Sequence, residues 1–201
     1  MKLLLFSDLH ADADAARAIA ARAGEADVLV GAGDFGNVRT RLGECIDLLR
    51  SIDRPTVLVA GNNESTEELA EACRDWPSAR VLHGTSATIG GVTFFGLGGG
   101  VPVTPFGAWS YDFTEEQAAA LLADCPPGCV LVSHSPPKGA VDVSSRGKSL
   151  GSTAVREAVE RVRPALVVCG HIHDCAGQHA TVGTTPVVNA GRGGVEWTLG
   201  G

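Results

Sequence analysis

The chain has 201 residues, of which 44% are hydrophobic and 19% are charged, and its net charge at pH 7 is −7. This composition supports a hydrophobic core and excludes an intrinsically disordered protein. The acidic balance argues against a protein that coats nucleic acid, and the apolar run at 3–6 is too short for a membrane span or an export signal. We therefore expect a cytoplasmic protein with one domain over residues 1–201, and the sequence predicts no oligomeric state.

Strands alternate with helices in the first third of the chain. Strands are predicted over 2–7, 27–30 and 55–60, and helices over 12–24, 38–51 and 65–76. Apolar residues within 38–51 recur near helical spacing, and Ser65 or Thr66 is a candidate cap of the third helix. This alternating order predicts parallel strands with right-handed crossovers.

The remaining two thirds mix hairpins, loops and two further helices. Short strands are predicted over 80–83, 85–89, 92–97, 129–133 and 165–169, with three more between 176 and 199. Gly90 and Gly91 indicate a hairpin turn. Helices are predicted over 114–124, where Thr114 and Gln117 fit a capping box, and over 152–162.

Each predicted parallel strand is followed at once by side chains that can bind a metal ion. The residues at these strand ends are Asp8, His10, Asp34, Asn62, His134, His171 and His173. Because parallel strands end at one edge of an open sheet, we expect these side chains to share a crevice. So many buried polar groups are costly without a cation between them, and mixed imidazole and oxygen ligands suit Mn²⁺, Fe or Zn²⁺.

Each of these residues has a structural alternative when it is taken alone. Asp8 could cap a helix, and Asp34 and Asn62 could form turns beside glycine. His171 and His173 are two residues apart, so in an extended segment they point to opposite sides. They can face one centre only if the backbone bends, unless two ions lie between them.

The order Asp-x-His, Gly-Asp-x-x-Asn, Gly-Asn-x-Glu, His and Gly-His-x-His resembles the calcineurin-like metallophosphoesterase superfamily, from Asp8 to His173. The segment 188–191 is similar to the Asn-x-Gly segment of its small bacterial members. The resemblance implies an α/β fold, a four-layer α/β/β/α sandwich of two mixed sheets flanked by helices. It also implies two divalent metal ions, with Mn²⁺ expected first and Fe or Zn²⁺ as alternatives.

The resemblance further implies two sets of metal ligands and one bridging carboxylate. The ligands of one ion are Asp8, His10 and His173, those of the other are Asn62, His134 and His171, and the bridge is Asp34. The implied enzyme is a metal-dependent phosphoesterase that acts on a small phosphorylated substrate. Among phosphoesterases, we expect a phosphodiesterase first. Its nucleophile would be a water or hydroxide that bridges the two ions.

Asn63 stands where the family usually has a histidine that protonates the leaving group or holds the phosphate. An amide cannot act as a general acid near neutral pH, although it can donate a hydrogen bond to an oxyanion. We therefore keep Asn63 as a candidate catalytic residue and expect activated esters or diesters rather than simple alkyl monoesters. Asn37 occupies a position that is commonly acidic, and we expect it to affect only the surroundings of the ligands.

Trp109, Tyr111 and Arg192 are weaker candidates for contact with a substrate. Trp109 and Tyr111 could stack on a nucleobase or simply anchor their loop, and Arg192 could bind phosphate or lie in a surface turn. The six cysteines form no C-x-x-C motif, and we interpret them as reduced, buried thiols.

Two alternatives compete with the phosphoesterase hypothesis. Residues 31–36 match the G-x-G-x-x-G pattern of a dinucleotide-binding domain, but the next strand ends without the acidic residue that binds the ribose. The second alternative is a non-enzymatic scaffold of the metallophosphoesterase fold. The replacement of the family histidine by Asn63 favours such a scaffold, whereas the complete set of candidate metal ligands argues against a scaffold.

Overall fold

Two mixed β-sheets lie face to face, and helices cover the outer face of each sheet. The structure, a computed structural model, describes residues 1–200. The four-layer α/β/β/α sandwich predicted from the sequence is therefore confirmed. The assignment of residues 1–201 to one domain stays a prediction, and residue 201 lies outside the described residues.

The first sheet is built mainly from the N-terminal third of the chain. Its strands are β1 (Lys2–Phe6), β2 (Val28–Ala32), β3 (Thr56–Val59), β4 (Ala79–Val81) and, from the other end of the chain, β11 (Val195–Thr198). The order is β11-β1-β2-β3-β4, with β1 to β4 parallel and β11 antiparallel to β1. The parallel strands thus end at one edge, as the alternating sequence pattern predicts.

The second sheet contains the hairpin and the C-terminal strands. Its strands are β5 (Thr85–Ile89), β6 (Val92–Leu97), β7 (Val130–Ser133), β8 (Leu166–Cys169), β9 (His179–Val182) and β10 (Thr185–Asn189). The order is β5-β6-β7-β8-β10-β9, with β6, β7, β8 and β10 parallel and the two edge strands antiparallel.

Alternation along the strands supplies both the core between the sheets and the cores beneath the helices. In β1, Leu3 and Leu5 face the opposite sheet, whereas Leu4 and Phe6 pack under the helices. This period of two is expected for a strand that is buried on both faces. Every residue of β2 is buried for the same reason.

The helices are α1 (Ala13–Arg22), α2 (Leu42–Leu49), α3 (Thr66–Ala72), α4 (Glu115–Leu121) and α5 (Thr153–Val162). Side-chain caps fix the starts of several of them: Ser65 caps α3 in a capping box with Glu68, and Thr114 caps α4 with Gln117, as predicted. Within residues 1–200, no helix has the length and apolar character needed to cross a bilayer.

The helix predicted over 38–51 begins only at Leu42, so the first part of that prediction is wrong. Val38, Arg39 and Arg41 all have positive φ angles, between 46° and 61°, which a right-handed helix does not allow. The amide N–H of Thr40 instead donates to the carbonyl of Asn37 in a tight turn. The segment 36–41 is therefore a loop beside the strand ends.

Candidate metal centre

All seven predicted ligands lie where the parallel strands of the two sheets end. Asp8 and His10 follow β1, Asp34 follows β2, Asn62 follows β3, His134 follows β7, and His171 and His173 follow β8. Backbone hydrogen bonds join these exits directly: the Asp8 amide donates to Gly33, and the Gly170 amide donates to His134. The packing of the two sheets thus brings side chains from five loops into one crevice.

Asp8, His10 and His173 form one group at the open side of this crevice. The Nε2 atoms of His10 and His173 are 3.0 Å apart, and His173 Nε2 lies 3.5 Å from Asp8 Oδ1. One ligand atom from each of the three residues lies within 4.8 Å of the others. These are the three residues that the family resemblance implies for the first ion, and their role as ligands stays a prediction.

Asn62, His134 and His171 form a second, deeper group. The Oδ1 atom of Asn62 lies 3.3 Å from His134 Nε2 and 3.1 Å from His171 Nδ1. Asn62 and His134 are almost completely buried. An amide oxygen and two imidazole nitrogens therefore converge on one small region, and these are the residues that the family resemblance implies for the second ion.

Asp34 lies between the two groups. Its Oδ1 atom is 3.5 Å from His134 Nε2, and its Oδ2 atom is 3.6 Å from His10 Nε2. Each carboxylate oxygen thus faces an imidazole of a different group. Asp8, Asp34 and His134 also place ligand atoms within 4.8 Å of one another, so the two groups are contiguous.

The orientation of His134 leaves one ring nitrogen available to a ligand. Its Nδ1 atom lies 2.7 Å from the carbonyl oxygen of Ala32, which can only accept a hydrogen bond. Nδ1 must therefore carry a proton and donate it. In the neutral ring, the lone pair is then on Nε2, which faces Asn62 and Asp34.

A sharp backbone bend at His171 allows His171 and His173 to face the same crevice. His171 has a φ of 66°, and the amide N–H of Ile172 donates to the carbonyl of Gly170 at 2.7 Å. The Nδ2 atom of Asn189 donates to the carbonyls of Gly170 and Ile172, both at 3.0 Å. The buried Asn189 amide thus holds the bend on both sides of His171.

Backbone strain is concentrated at this centre. Asp8, His10, Asp34 and His171 all have positive φ angles, between 47° and 66°, although none is glycine. Such conformations cost about 1–3 kcal/mol each and persist only where the surroundings enforce them, which is common at functional sites. The neighbouring Gly170 is required for space, because a Cβ there would lie 2.5 Å from Asp8 Oδ2.

The electrostatics of the centre prepare two of the candidate ligands, Asp8 and His171, to bind a cation. Burial raises the pKa of Asp8, but hydrogen bonds from His173 and Ser7 and the charge of His134 outweigh it and lower that pKa to about 2. Burial and the proximity of His134 lower the pKa of His171 to about 4. At neutral pH the first is a carboxylate and the second a neutral imidazole, which are the forms that bind metals.

Glu64 supports Asp34 from beneath, a role that sequence reasoning missed. Its Oε1 atom accepts the backbone N–H groups of Asp34 and Gly61 at 2.8 Å, and its Oε2 atom accepts that of Gly36 at 3.0 Å. Burial and the charge of Asp34 raise the pKa of this carboxyl to about 7. The Gly-Asn-x-Glu motif was the available signal, but the motif alone does not show which way the carboxylate points.

Asn63 connects the centre to the loop at 36–41. Its Nδ2 atom donates to Asp34 Oδ2 at 2.7 Å, and its Oδ1 atom accepts the backbone N–H of Val38, also at 2.7 Å. Its backbone N–H donates to Asp34 Oδ1 at 2.9 Å. The side chain is 5% exposed. These contacts give Asn63 a structural task at the site, while its role as a catalytic residue stays a prediction.

Of the three weaker candidates for substrate contact, two line a cavity at the centre and one does not. Trp109 lines a cavity with Asp34 and His171, whereas Tyr111 packs against Phe113 and donates to Thr66, which indicates a loop anchor. Arg192 lies 3.6 Å from Asp12 and lines a second cavity beside Asp8 and His10. All six cysteines are free and buried, as predicted.

The dinucleotide-binding alternative does not fit the local structure. The pattern at 31–36 requires a helix that starts directly after it, so that the helix N-terminus can bind the pyrophosphate. The chain instead enters the loop at 36–41, and α2 starts at Leu42. Asp34, in the middle of the pattern, faces the histidines.

Comparisons with known proteins agree with this fold. A family model described as calcineurin-like phosphoesterase matches residues 1–175. A UPF0046 protein of Caenorhabditis elegans is 30% identical over 191 residues, which cover 84% of this chain and 63% of that protein. The chain thus spans less than two thirds of the length of that relative.

Solved structures with low sequence identity share the fold. A protein from Thermus thermophilus has a TM-score of 0.76 at 20% identity, with 94% of this chain and 88% of that chain covered. A dimetal phosphatase from Danio rerio has a TM-score of 0.61 at 14% identity, with 94% and 86% covered. A phosphopantetheinyl hydrolase from Mycobacterium tuberculosis has a TM-score of 0.59 at 16% identity, with 94% and 88% covered.

Proposed function

The chain belongs to the calcineurin-like phosphoesterase family, and from this membership we propose that it is a dinuclear-metal-dependent phosphoester hydrolase that acts on phosphodiesters. The position of Asp34 carries the proposal. One of its oxygens faces His10 and the other faces His134, so a single carboxylate lies between two groups of candidate ligands. This is the arrangement that two bridged cations require.

The donor set fits two divalent ions. In the neutral His134 ring, Nε2 carries a lone pair and lies 3.3 Å from the acceptor oxygen Oδ1 of Asn62, and such a contact between two acceptors is unfavourable without a cation between them. Nitrogen and oxygen ligands without thiolate suit Mn²⁺, Fe or Zn²⁺, and we propose Mn²⁺ first. When bound, two such ions supply an activated water as nucleophile and positive charge for the phosphoester oxygens.

The protein side chains would fix the geometry of the reaction. Asp34 is held by Asn63 and Glu64, and His134 is held by the Ala32 carbonyl, so these groups need little reorganisation when substrate binds. The side chain of His173 is 60% exposed. We therefore propose that the substrate enters the centre from the side where His173 lies.

Two cavities that meet at the centre support a diester rather than a monoester. One has a volume of about 590 Å³ and contains Arg192, and the other has a volume of about 400 Å³ and contains Trp109. His10 and His173 line both. A phosphorus atom held between them could carry one substituent in each cavity.

The presence of asparagine rather than histidine at position 63 supports a substrate with a good leaving group. The amide of Asn63 is engaged by Asp34 and Val38, and an amide is no general acid near neutral pH. Loss of a general acid typically costs a factor of about 10²–10⁴, and the cost is largest for strongly basic leaving groups. We therefore propose that the preferred leaving group departs without protonation.

The proposal is tested by comparing bis-p-nitrophenyl phosphate with p-nitrophenyl phosphate, with Mn²⁺ added and after treatment with EDTA. We expect Mn²⁺-dependent hydrolysis that favours the diester and is lost in Asp34→Asn. Arg41→Lys, an exposed substitution that keeps the charge, serves as the matched control. Two bound ions without turnover of either ester would favour the non-enzymatic scaffold instead.

A further inference from the structure

Large apolar side chains that remain exposed are concentrated beside the candidate metal centre. Val38 is 47% exposed, Phe106 is 51% exposed and Leu150 is 44% exposed. All three line the cavity of about 400 Å³ that also contains Asp34 and His171. Exposed apolar groups that cluster in one cavity, rather than scatter over the surface, mark a binding site.

Two aromatic rings, those of Phe106 and Trp109, line this cavity as an aromatic wall. The rings of Phe106 and Trp109 are stacked, with centroids 5.7 Å apart and planes 14° from parallel. Their loop is bonded to a candidate ligand: the amide N–H of Tyr111 donates to the carbonyl of Asn62, and Asn62 Nδ2 donates to Ser110 Oγ. The position of the aromatic wall is therefore linked to that of the metal centre.

Val38 lines the same cavity at a conformational cost. Its φ is 46°, which is unfavourable for a β-branched residue, and Asn63 Oδ1 holds its backbone N–H at 2.7 Å. The same Asn63 amide donates to Asp34. An apolar side chain is thus kept in the lining of the cavity by a direct connection to the centre.

The charge of the lining distinguishes this cavity from its neighbour. Among the residues of 1–200 that line it, none is lysine or arginine, and Asp174 contributes an acidic group at the rim. The neighbouring cavity contains Arg192. A second phosphate or another anionic group would therefore be unfavourable beside Phe106 and Trp109, whereas a neutral group fits.

We propose that the cavity lined by Val38, Phe106, Trp109 and Leu150 binds a neutral aromatic ring carried by the phosphoester substrate. The proposal rests on the proposed function, since it places the ring beside a phosphate held at the metal centre. An aromatic ring matches a lining that combines two aromatic rings with the apolar side chains of Val38 and Leu150. A substrate with only polar or anionic substituents would leave this exposed apolar surface unused.

Isothermal titration of the Mn²⁺-loaded protein with phenylphosphonate and methylphosphonate tests the proposal without turnover. The two probes share a phosphonate group and differ in the substituent. Contact with an aromatic wall predicts that phenylphosphonate binds about tenfold more tightly. Equal dissociation constants for the two probes would overturn the proposal.

Variants locate the preference within the structure. In Phe106→Ala and in Leu150→Ala, the ratio of the two dissociation constants should fall to about threefold or less. Val143→Ala is the matched control, because Val143 is 49% exposed in the same loop as Leu150 but does not line the cavity. Its ratio should equal that of the wild type, and a ratio that survives in both cavity variants would refute the assignment.

Failure of the proposed function gives a different result. If the centre does not hold metal ions and phosphate, neither phosphonate binds and inorganic phosphate does not bind either. If only the aromatic subsite is wrong, both phosphonates bind with the same affinity. The titration therefore separates the two outcomes.

Discussion

Replacement of Asn63 by alanine probes the connection between Asp34 and the loop at 36–41. The substitution removes two hydrogen bonds of 2.7 Å from a side chain that is 5% exposed. The backbone N–H of Val38 and one oxygen of Asp34 then lose their partners, which costs about 1–2 kcal/mol each. Relaxation of the strained Val38 backbone returns about 1 kcal/mol. We expect the free energy of unfolding to fall by about 2 kcal/mol.

The assay is thermal unfolding in EDTA, so that metal binding does not contribute to stability. For a chain of this length, a loss of about 2 kcal/mol lowers Tm by about 4–8 °C. Asn37→Ala is the matched control: it removes the same type of side chain from the loop that Asn63 contacts, but Asn37 is exposed and, within residues 1–200, its side chain makes no hydrogen bond. Its Tm should change by no more than about 2 °C. Equal Tm values for the two variants would refute the structural role of Asn63.

Three further predictions concern the residues around the ligands. Glu64→Gln places an amide N–H against backbone donors, so Mn²⁺ affinity should fall at least about tenfold in calorimetric titration; unchanged affinity would exclude the supporting role of Glu64. Asn189→Ala releases the bend at His171 and should lower Mn²⁺ affinity by about 10–100-fold, with the α-helical circular dichroism unchanged; wild-type affinity would contradict this. In metal-free protein the pKa of His171 is lowered to about 4, so below pH 6.5 the unfolded chain binds a proton that the folded chain does not. Between pH 6.5 and pH 4, the free energy of unfolding, measured with urea, should fall by about 1–3 kcal/mol more in the wild type than in His171→Asn. Equal decreases in the two proteins would contradict the lowered pKa of His171.

Much of the fold could be predicted because its signals are local and repeated. The alternation of apolar strands with capped helices indicates parallel sheets, and Ser65 and Thr114 cap their helices as the sequence suggests. The convergence of the candidate ligands also follows from the sequence, since each lies directly after a parallel strand. Because these strands are parallel, their carboxyl ends lie at the same edge of each sheet.

The remaining features depend on contacts between distant parts of the chain. Apolar spacing predicts a helix from Val38, but Asn63 holds the Val38 amide and the helix starts later. The motif that contains Glu64 does not reveal that its carboxylate accepts backbone N–H groups rather than facing the crevice. Likewise, Asn189 approaches the His171 bend only because β10 pairs with β8.

The most direct test of two bridged ions is a titration of metal-free protein with Mn²⁺, followed by calorimetry and by native mass spectrometry. The account predicts two ions bound to each wild-type chain and no more than one in Asp34→Asn, because Asp34 lies between His10 and His134. A wild-type chain that binds fewer than two ions, or an Asp34→Asn chain that binds two with unchanged affinity, would contradict it.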